Sequence, residues 1–236
     1  MSNYAGVFFI MNAVFYDTGR GESERIAKYC SSKLGFPLKD VQELENRQYG
    51  HTVLVFPVYC QNIPTLVKDF LSKLNTQYLT VIATYGRMSF GNVLWEIQNR
   101  YPHTVIAGAY LPTKHTYLDE DRFDEWERLD GLFIKINEPK EVKIPRSFKN
   151  PLSNVSPTLR SRVGVRLIKT KACNSCGACE KACRYKAIRA GNPNKNCVRC
   201  LRCVQVCPQQ ALRFQCRLPL KLYLKKKKNN QFVLYV

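Results

Sequence analysis

The chain has 236 residues, of which 45% are hydrophobic, and it carries a formal net charge of +19 at pH 7. This size and hydrophobic content suit two domains. The apolar stretch 7–16 is interrupted by Asn12 and has neither a basic leader nor a small-residue cleavage site, so we expect neither a signal peptide nor a membrane span. A cytoplasmic location, in which cysteines stay reduced, is the expectation that follows.

Strands and helices are predicted to alternate over residues 1–137. Buried strands are expected at 13–16, 53–58, 79–83 and 105–111, with a weaker one at 38–44. Helices with one apolar face are expected at 26–34, 64–74, 93–101 and 126–136. This alternation predicts an α/β fold, a doubly wound parallel sheet with helices on both faces and a ligand site beyond the carboxyl ends of its strands.

The loop after the first predicted strand reads Thr18-Gly19-Arg20-Gly21-Glu22-Ser23. It resembles the phosphate loop of flavodoxins, with Thr18, Gly21 and Ser23 in matching places. Such a loop binds phosphate with backbone N–H groups and hydroxyls at a helix N-terminus. Arg20 replaces a hydroxyl residue of that pattern, and Glu22 places a negative charge next to it.

Two further loops follow the third and fourth predicted strands, where flavodoxins place the segments that flank the isoalloxazine ring. The candidate residues in them are Tyr59, Tyr85, Gly86 and Gly91. The two tyrosines could stack on the ring, and Gly86 would let the backbone approach it. The alternative is that both tyrosines only close the edge of the sheet. Three loops at successive strand ends predict bound FMN.

Residues 138–167 are basic, weakly periodic and punctuated by four prolines, which predicts an extended linker or wrapping segment. Residues 217–236 form a Lys-rich tail that contains Lys225 to Lys228. This run could contact an acidic surface, but a solvated, poorly ordered tail is the expected state.

One cysteine pattern occurs twice between these two segments, at residues 168–216. The first copy is Cys173, Cys176, Cys179 and Cys183, and the second is Cys197, Cys200, Cys203 and Cys207, followed by Pro208. The copies are offset by a constant 24 positions, which also aligns Ala187 with Ala211 and Ile188 with Leu212. The segment is therefore an internal duplication with a pseudo-twofold layout.

This spacing is typical of a small α+β domain with two [4Fe–4S] clusters, in which the fourth Cys of each run ligates the other cluster. The predicted ligand sets are Cys173, Cys176, Cys179 and Cys207 for one cluster, and Cys197, Cys200, Cys203 and Cys183 for the other. Zinc sites and disulfides are the alternatives. Zinc knuckles fit a repeat without a local His poorly, and disulfides require an oxidising compartment.

Three cysteines and one arginine stand apart from this pattern. Cys30, Cys60 and Cys216 are interpreted as packed or loop thiols. Arg184 follows the fourth Cys of the first copy, where two-cluster ferredoxins usually have Pro, and this change affects local geometry more than ligation.

The charge is concentrated in the C-terminal part. Residues 1–137 carry 14 Lys and Arg against 15 Asp and Glu, whereas the rest of the chain carries 23 against 3. Two clusters with their thiolates would remove only about four positive charges. Such a field favours an acidic protein partner, an anionic membrane surface or nucleic acid, and general solubility is the alternative.

Taken together, residues 8–137 and 168–216 resemble the flavodoxin–ferredoxin fusions of anaerobes. This resemblance implies an electron carrier that passes electrons between two [4Fe–4S] clusters and FMN and serves redox partner proteins. A second hypothesis is an FMN-dependent reductase of a small molecule, although His51, His103 and His115 are scattered and form no acid–base constellation. A third is a nucleic-acid-binding or redox-sensing module.

Overall fold

The computed structural model describes residues 10–119 and 125–236; Val7, Phe8 and Phe9, which begin the N-terminal apolar stretch, lie outside them. In chain order the first part contains β1 (Met11–Tyr16), α1 (Glu22–Leu34), β2 (Leu38–Asp40), β3 (Gln48–Pro57), α2 (Thr65–Lys73), β4 (Asn75–Tyr85), α3 (Val93–Arg100), β5 (Val105–Pro112) and α4 (Asp130–Asn137). The second part contains α5 (Pro157–Gly164), β6 (Val165–Lys169), α6 (Ala178–Lys181), β7 (Ile188–Arg189), β8 (Asn192–Pro193), α7 (Arg202–Gln205), β9 (Leu212–Cys216), α8 (Leu218–Leu224) and β10 (Val233–Tyr235). Short 3₁₀ turns lie at Val41–Glu43, Trp126–Leu129 and Pro151–Asn154.

A mostly parallel six-stranded sheet forms the larger part of the fold, in the order β10-β5-β4-β3-β1-β2. Its inner strands β3, β4 and β5 are buried and largely apolar over most of their length, because both faces of the sheet are covered. Helices α2 and α3 pack on one face, and α1 and α4 pack on the other. The predicted α/β architecture with a parallel sheet is confirmed.

Strand β2 is shorter than the 38–44 predicted for it. Asp40 ends the strand because its carboxylate accepts a hydrogen bond from the Gln42 N–H at 2.9 Å, while the Glu43 carboxylate accepts one from the Asp40 N–H at 2.9 Å. This capping box starts the 3₁₀ turn that follows.

The Lys-rich tail is largely ordered, so the expectation of a solvated, poorly ordered tail is wrong for α8 and β10. Strand β10 adds to the edge of the sheet antiparallel to β5, with Leu234 paired to Ala109. Phe232 and Leu234 pack against the apolar cluster under α1 and α4. The short apolar run after the lysines forms this strand.

Residues 138–156 lie along the sheet and α3. The Val142 N–H donates to the Val105 carbonyl at 3.0 Å, and the Ile144 N–H donates to the Gln98 side chain at 3.0 Å. Both Val142 and Ile144 are buried. The segment is not extended throughout, because α5 follows it and β6 begins at Val165, before the predicted boundary at 168.

The smaller part of the fold contains two antiparallel strand pairs, β6 with β9 and β7 with β8. Across the described ranges, no helix has the length and apolar character needed to traverse a bilayer.

Candidate metal centres

The backbone repeats the sequence duplication. Three residues of the first copy adopt left-handed backbone angles, Ser175, Gly177 and Lys186, with φ of 59°, 77° and 47°. The residues 24 positions later have φ of 60°, 63° and 47°. At two of the three positions neither copy has a glycine, and at the third Leu201 takes the place of Gly177. A left-handed backbone conformation is costly for residues other than glycine, so the surrounding structure must fix the shape of these loops.

Hydrogen bonds repeat at the same offset. The Thr170 N–H donates to the Ala211 carbonyl at 2.9 Å, and the Asn194 N–H donates to the Ala187 carbonyl at 2.9 Å. Because each copy borrows an acceptor from the other, the two copies are intertwined. This arrangement places the fourth Cys of each run next to the other run.

Two cavities lie between the intertwined copies. The cysteines that line the first are Cys173, Cys176, Cys179 and Cys207. Those that line the second are Cys183, Cys197, Cys200 and Cys203. The cavities span about 330 and 350 Å³, including adjoining solvent, and small residues such as Gly177, Gly191 and Ala211 keep the first one open.

Each crossing cysteine accepts a backbone hydrogen bond on sulfur. The Ala187 N–H donates to Cys183 Sγ at 3.2 Å, and the Ala211 N–H donates to Cys207 Sγ at 3.3 Å. Such bonds stabilise negative charge on sulfur, and they are a recognised means of tuning iron–sulfur potentials.

Of the cysteines of the second cavity, Cys203 is buried and the other three are partly buried. Burial raises the pKa of Cys200 to about 11 and that of Cys203 to about 12. A bound metal deprotonates such thiols outright. Among the described residues, no group of three or more His, Cys, Asp or Glu is placed to hold a single metal ion, so the sulfurs line each cavity without converging on one point.

The two cavities differ in their surroundings. The first contains Cys176, which is exposed. The second faces the carboxyl edge of the parallel sheet, because Cys200 lies against Gly19, where a methyl group on the glycine would come within 3.1 Å of Cys200 Cβ. The first cavity is therefore the more accessible to an external protein.

Arg184 joins the cysteine-rich part to the sheet. Its guanidinium forms a bidentate ion pair with Asp40 at the end of β2, with one N–H···O distance of 2.8 Å. Its Nε also lies 3.0 Å from Asp17 Oδ1 just after β1, as a charge contact that is not aligned as a hydrogen bond. Burial raises the pKa of Asp17 to about 6, although Arg184 opposes this shift.

Tyrosines make further contacts across this boundary. The Tyr117 hydroxyl donates to the Arg199 carbonyl at 2.9 Å, and its ring lies 6.1 Å from that of Phe214. The phenol of Tyr59 approaches Gly19, where an added methyl group would lie 2.7 Å from Oη. The carboxyl edge of the sheet is therefore occupied by side chains and by the loop that carries Cys200, which we call the second-cavity loop.

The predicted phosphate loop has its hydroxyls already paired within the fold. The Thr18 hydroxyl accepts from the Gly21 N–H at 2.9 Å, and the buried Ser23 hydroxyl lies 2.9 Å from Thr84 Oγ1. Arg20 donates to the Thr116 carbonyl at 2.8 Å. Glu22 and Glu24 lie in the first turn of α1, where their negative charges interact favourably with the positive end of the helix dipole.

The predicted ring-flanking residues are also engaged elsewhere. Tyr85 is buried in the apolar core, and its hydroxyl donates to the Gln231 carbonyl of the tail at 2.7 Å. Gly86 is covered by His115, and Gly91 packs against Gln61. The three loops do meet at one edge, as predicted, but as packed here they do not fit FMN.

The contacts that Arg184 and Tyr117 make across this boundary were not predicted. In the sequence Arg184 stood out because it replaces a proline, and it was not expected to contact the sheet. The available signal was the comparison of the copies, since the exposed Pro208 occupies the matching position.

The comparisons with known proteins agree with the cysteine geometry. Residues 194–213 match the family model of the 4Fe-4S binding domain. The match contains Cys197, Cys200, Cys203 and Cys207, and it supports a [4Fe–4S] cluster and iron–sulfur electron transfer in this part of the chain. No curated protein matches the chain.

Proposed function

We propose that this protein is an electron carrier that holds two [4Fe–4S] clusters, one in each cysteine-lined cavity. The observation that carries the proposal is the composition of the cavities: each is lined by three cysteines of one copy and the fourth cysteine of the other. Crossed ligation of this kind is the arrangement of two-cluster ferredoxins. When bound, each cluster would accept or donate one electron.

The α/β part is proposed to be flavodoxin-like. Its parallel strands follow the order 2-1-3-4-5, which is the flavodoxin order, and its first and third strands flank the switch point at which such folds bind ligands. The second-cavity loop lies against Gly19 at the end of β1, next to this switch point. We therefore assign to the α/β part the role of a platform that seats the second cluster.

FMN stays a prediction of the sequence. A bound flavin would supply chemistry that exchanges one or two electrons. The loop at its predicted phosphate site is already contacted within the fold, because Tyr59 and Cys200 both lie against Gly19. The arrangement described above favours electron carriage by the clusters alone.

The partners we propose are redox proteins with an acidic docking surface, in the reducing cytoplasm. The support is the charge, since the chain after residue 137 carries 23 basic and 3 acidic residues. Exchange would take place at the first cavity, because Cys176 is exposed there.

An anaerobic reductive titration of the purified protein tests this function. Two clusters without flavin take up about two electrons per chain, whereas two clusters with FMN take up about four. We expect about two, with loss of the visible iron–sulfur absorption on reduction and its return on reoxidation. A protein that takes up no electrons contradicts the proposal. Uptake of about four electrons would indicate that FMN is bound in addition to the two clusters.

A further inference from the structure

Two helices and a turn next to the β6–β9 pair expose large apolar side chains. In α5, Leu159 and Val163 are each 50% exposed, and in α8, Leu218 and Leu222 are 66% and 55% exposed. Leu152 and Val155, in and just after the turn Pro151–Asn154, are also exposed. We call the surface formed by these six side chains the C-terminal apolar face.

The elements that carry this face contact one another. The Arg217 N–H before α8 donates to the Gly164 carbonyl of α5 at 2.8 Å. A methyl group on Gly164 would contact Leu220 of α8 at 3.4 Å, so the two helices touch there. On the other side of α5, Arg160 donates to the Leu152 carbonyl at 2.8 Å, which holds the turn against the helix.

The charges that accompany the face are all basic. Arg160, Arg217 and Lys221 are exposed on it, and Lys225 to Lys227 follow directly after α8, also exposed. Glu180 is the one acidic residue between positions 142 and 236. Its carboxylate accepts from the Ala190 N–H at 2.6 Å in the cysteine-rich part and lies on α6, not on α5 or α8.

This face combines exposed aliphatic side chains with lysines and arginines that have no acidic residue beside them in the described part of the chain. Surfaces that bind in the interface of an anionic bilayer have this composition. The aliphatic groups enter the acyl boundary while the cations contact lipid phosphates. Nucleic acid would satisfy the cations but offers no apolar phase for six exposed aliphatic side chains. We propose that the C-terminal apolar face binds the protein peripherally to an anionic lipid surface.

The position of the face fits electron exchange from a membrane-bound state. Val165 pairs with Cys216 at the end of β6–β9 that joins α5 and α8, and Lys169 pairs with Leu212 at the other end. Leu212 lines the first cavity. The first cavity and the apolar face thus lie at opposite ends of the strand pair, so lipid binding leaves this cavity accessible. This orientation, unlike the binding itself, rests on the proposed function.

Vesicle sedimentation of the full-length protein, purified anaerobically, tests the inference. We expect binding to phosphatidylglycerol-containing vesicles and no binding to pure phosphatidylcholine. Raised salt should weaken the binding without abolishing it, because only the charge contribution is screened. The double variant Leu218→Ser/Leu222→Ser should weaken it roughly tenfold or more, since it removes two apolar anchors. Lys225→Gln/Lys226→Gln/Lys227→Gln should weaken it as well.

Matched controls come from other surfaces of the chain. Ile134→Ser changes an apolar residue that is 70% exposed on α4, and Lys195→Gln changes an exposed lysine of the cysteine-rich part. Both should bind vesicles like the wild type. Iron content, measured on every variant, reports separately on the clusters, so failure of the lipid inference and failure of the proposed function are distinguishable.

Three results would overturn the inference. The first is absence of binding to anionic vesicles. The second is binding that high salt abolishes and the leucine double variant leaves unchanged, which would reduce it to charge attraction alone. The third is self-association in sedimentation velocity that the same double variant removes, which would assign the face to a second copy of the chain.

Discussion

Arg184 and Asp40 form a bidentate ion pair across the boundary between the cysteine-rich part and the parallel sheet. Arg184 is 8% exposed at its side chain and follows a predicted cluster ligand, Cys183, directly. The matching position of the second copy is the exposed Pro208. The two copies therefore diverge at the position that anchors one of them to the sheet.

We expect Arg184→Ala to destabilise the protein by roughly 3 kcal/mol. The substitution removes the cation that faces the buried carboxylate of Asp17 and the half-buried carboxylate of Asp40. Chemical unfolding under anaerobic conditions measures this loss. Arg189→Ala, at an exposed position of the same part, should change the free energy of unfolding by less than about 0.5 kcal/mol. Equal effects of the two substitutions would show that the ion pair does not hold the parts together.

Removal of one cysteine from either cavity should cost one cluster. Cys176→Ser affects the first cavity and Cys200→Ser the second, and each should lower the iron content toward about four per chain. The magnetic interaction between the two reduced clusters should disappear from the EPR spectrum in both variants. Cys60→Ser, at an exposed cysteine outside the repeat, is the control and should keep the full iron content. Full iron content in both cavity variants would refute the ligand assignment.

Arg202 lines the second cavity, and its Nε is buried without a hydrogen-bond partner among the described residues. A cation at this position stabilises the added electron, so Arg202→Gln should lower the potential of one cluster and leave that of the other unchanged. A redox titration monitored by EPR measures both potentials. Arg213→Gln, at an exposed arginine that lines neither cavity, should leave both unchanged. Unaltered potentials in Arg202→Gln would exclude this role.

His51 should make the fold sensitive to acid. Burial lowers the pKa of His51 to about 4, and Nε2 lies 2.9 Å from Thr80 Oγ1. In the unfolded chain the pKa is about 6.5. The stabilising contribution is therefore complete above pH 6.5 and is lost as the pH falls toward 4, because protonation favours the unfolded chain.

Between pH 7 and pH 5 the wild type should lose about 2 kcal/mol more stability than His51→Gln, which does not titrate. Anaerobic unfolding of both proteins at each pH measures the difference, and acid effects on the clusters cancel between them. Parallel loss of stability in the two proteins would show that His51 does not titrate with a lowered pKa.

The fold was predictable where local pattern determines it. The largely apolar runs 53–58 and 79–83 lie in buried strands, because their length and the helices that flank them in the sequence favour a central position in a parallel sheet. The cysteine repeat likewise predicted which sulfurs share a cavity. The strand β10 was missed because a short apolar run after four lysines has no period that separates it from a solvated tail.

The docking of the two parts could not be predicted. Arg184 and Asp40 are 144 residues apart in the chain, and no local pattern relates them. The same limit applies to Tyr85, which satisfies every local criterion for a ring-flanking tyrosine. The environment of Tyr85 is set by tail residues that are distant in the sequence, since its hydroxyl donates to the Gln231 carbonyl.

Metal and sulfide analysis of the protein purified without oxygen is the decisive test of the two-cluster assignment. We expect about eight iron and eight inorganic sulfide ions per chain, the content of two [4Fe–4S] clusters. Stoichiometric zinc without sulfide would contradict it.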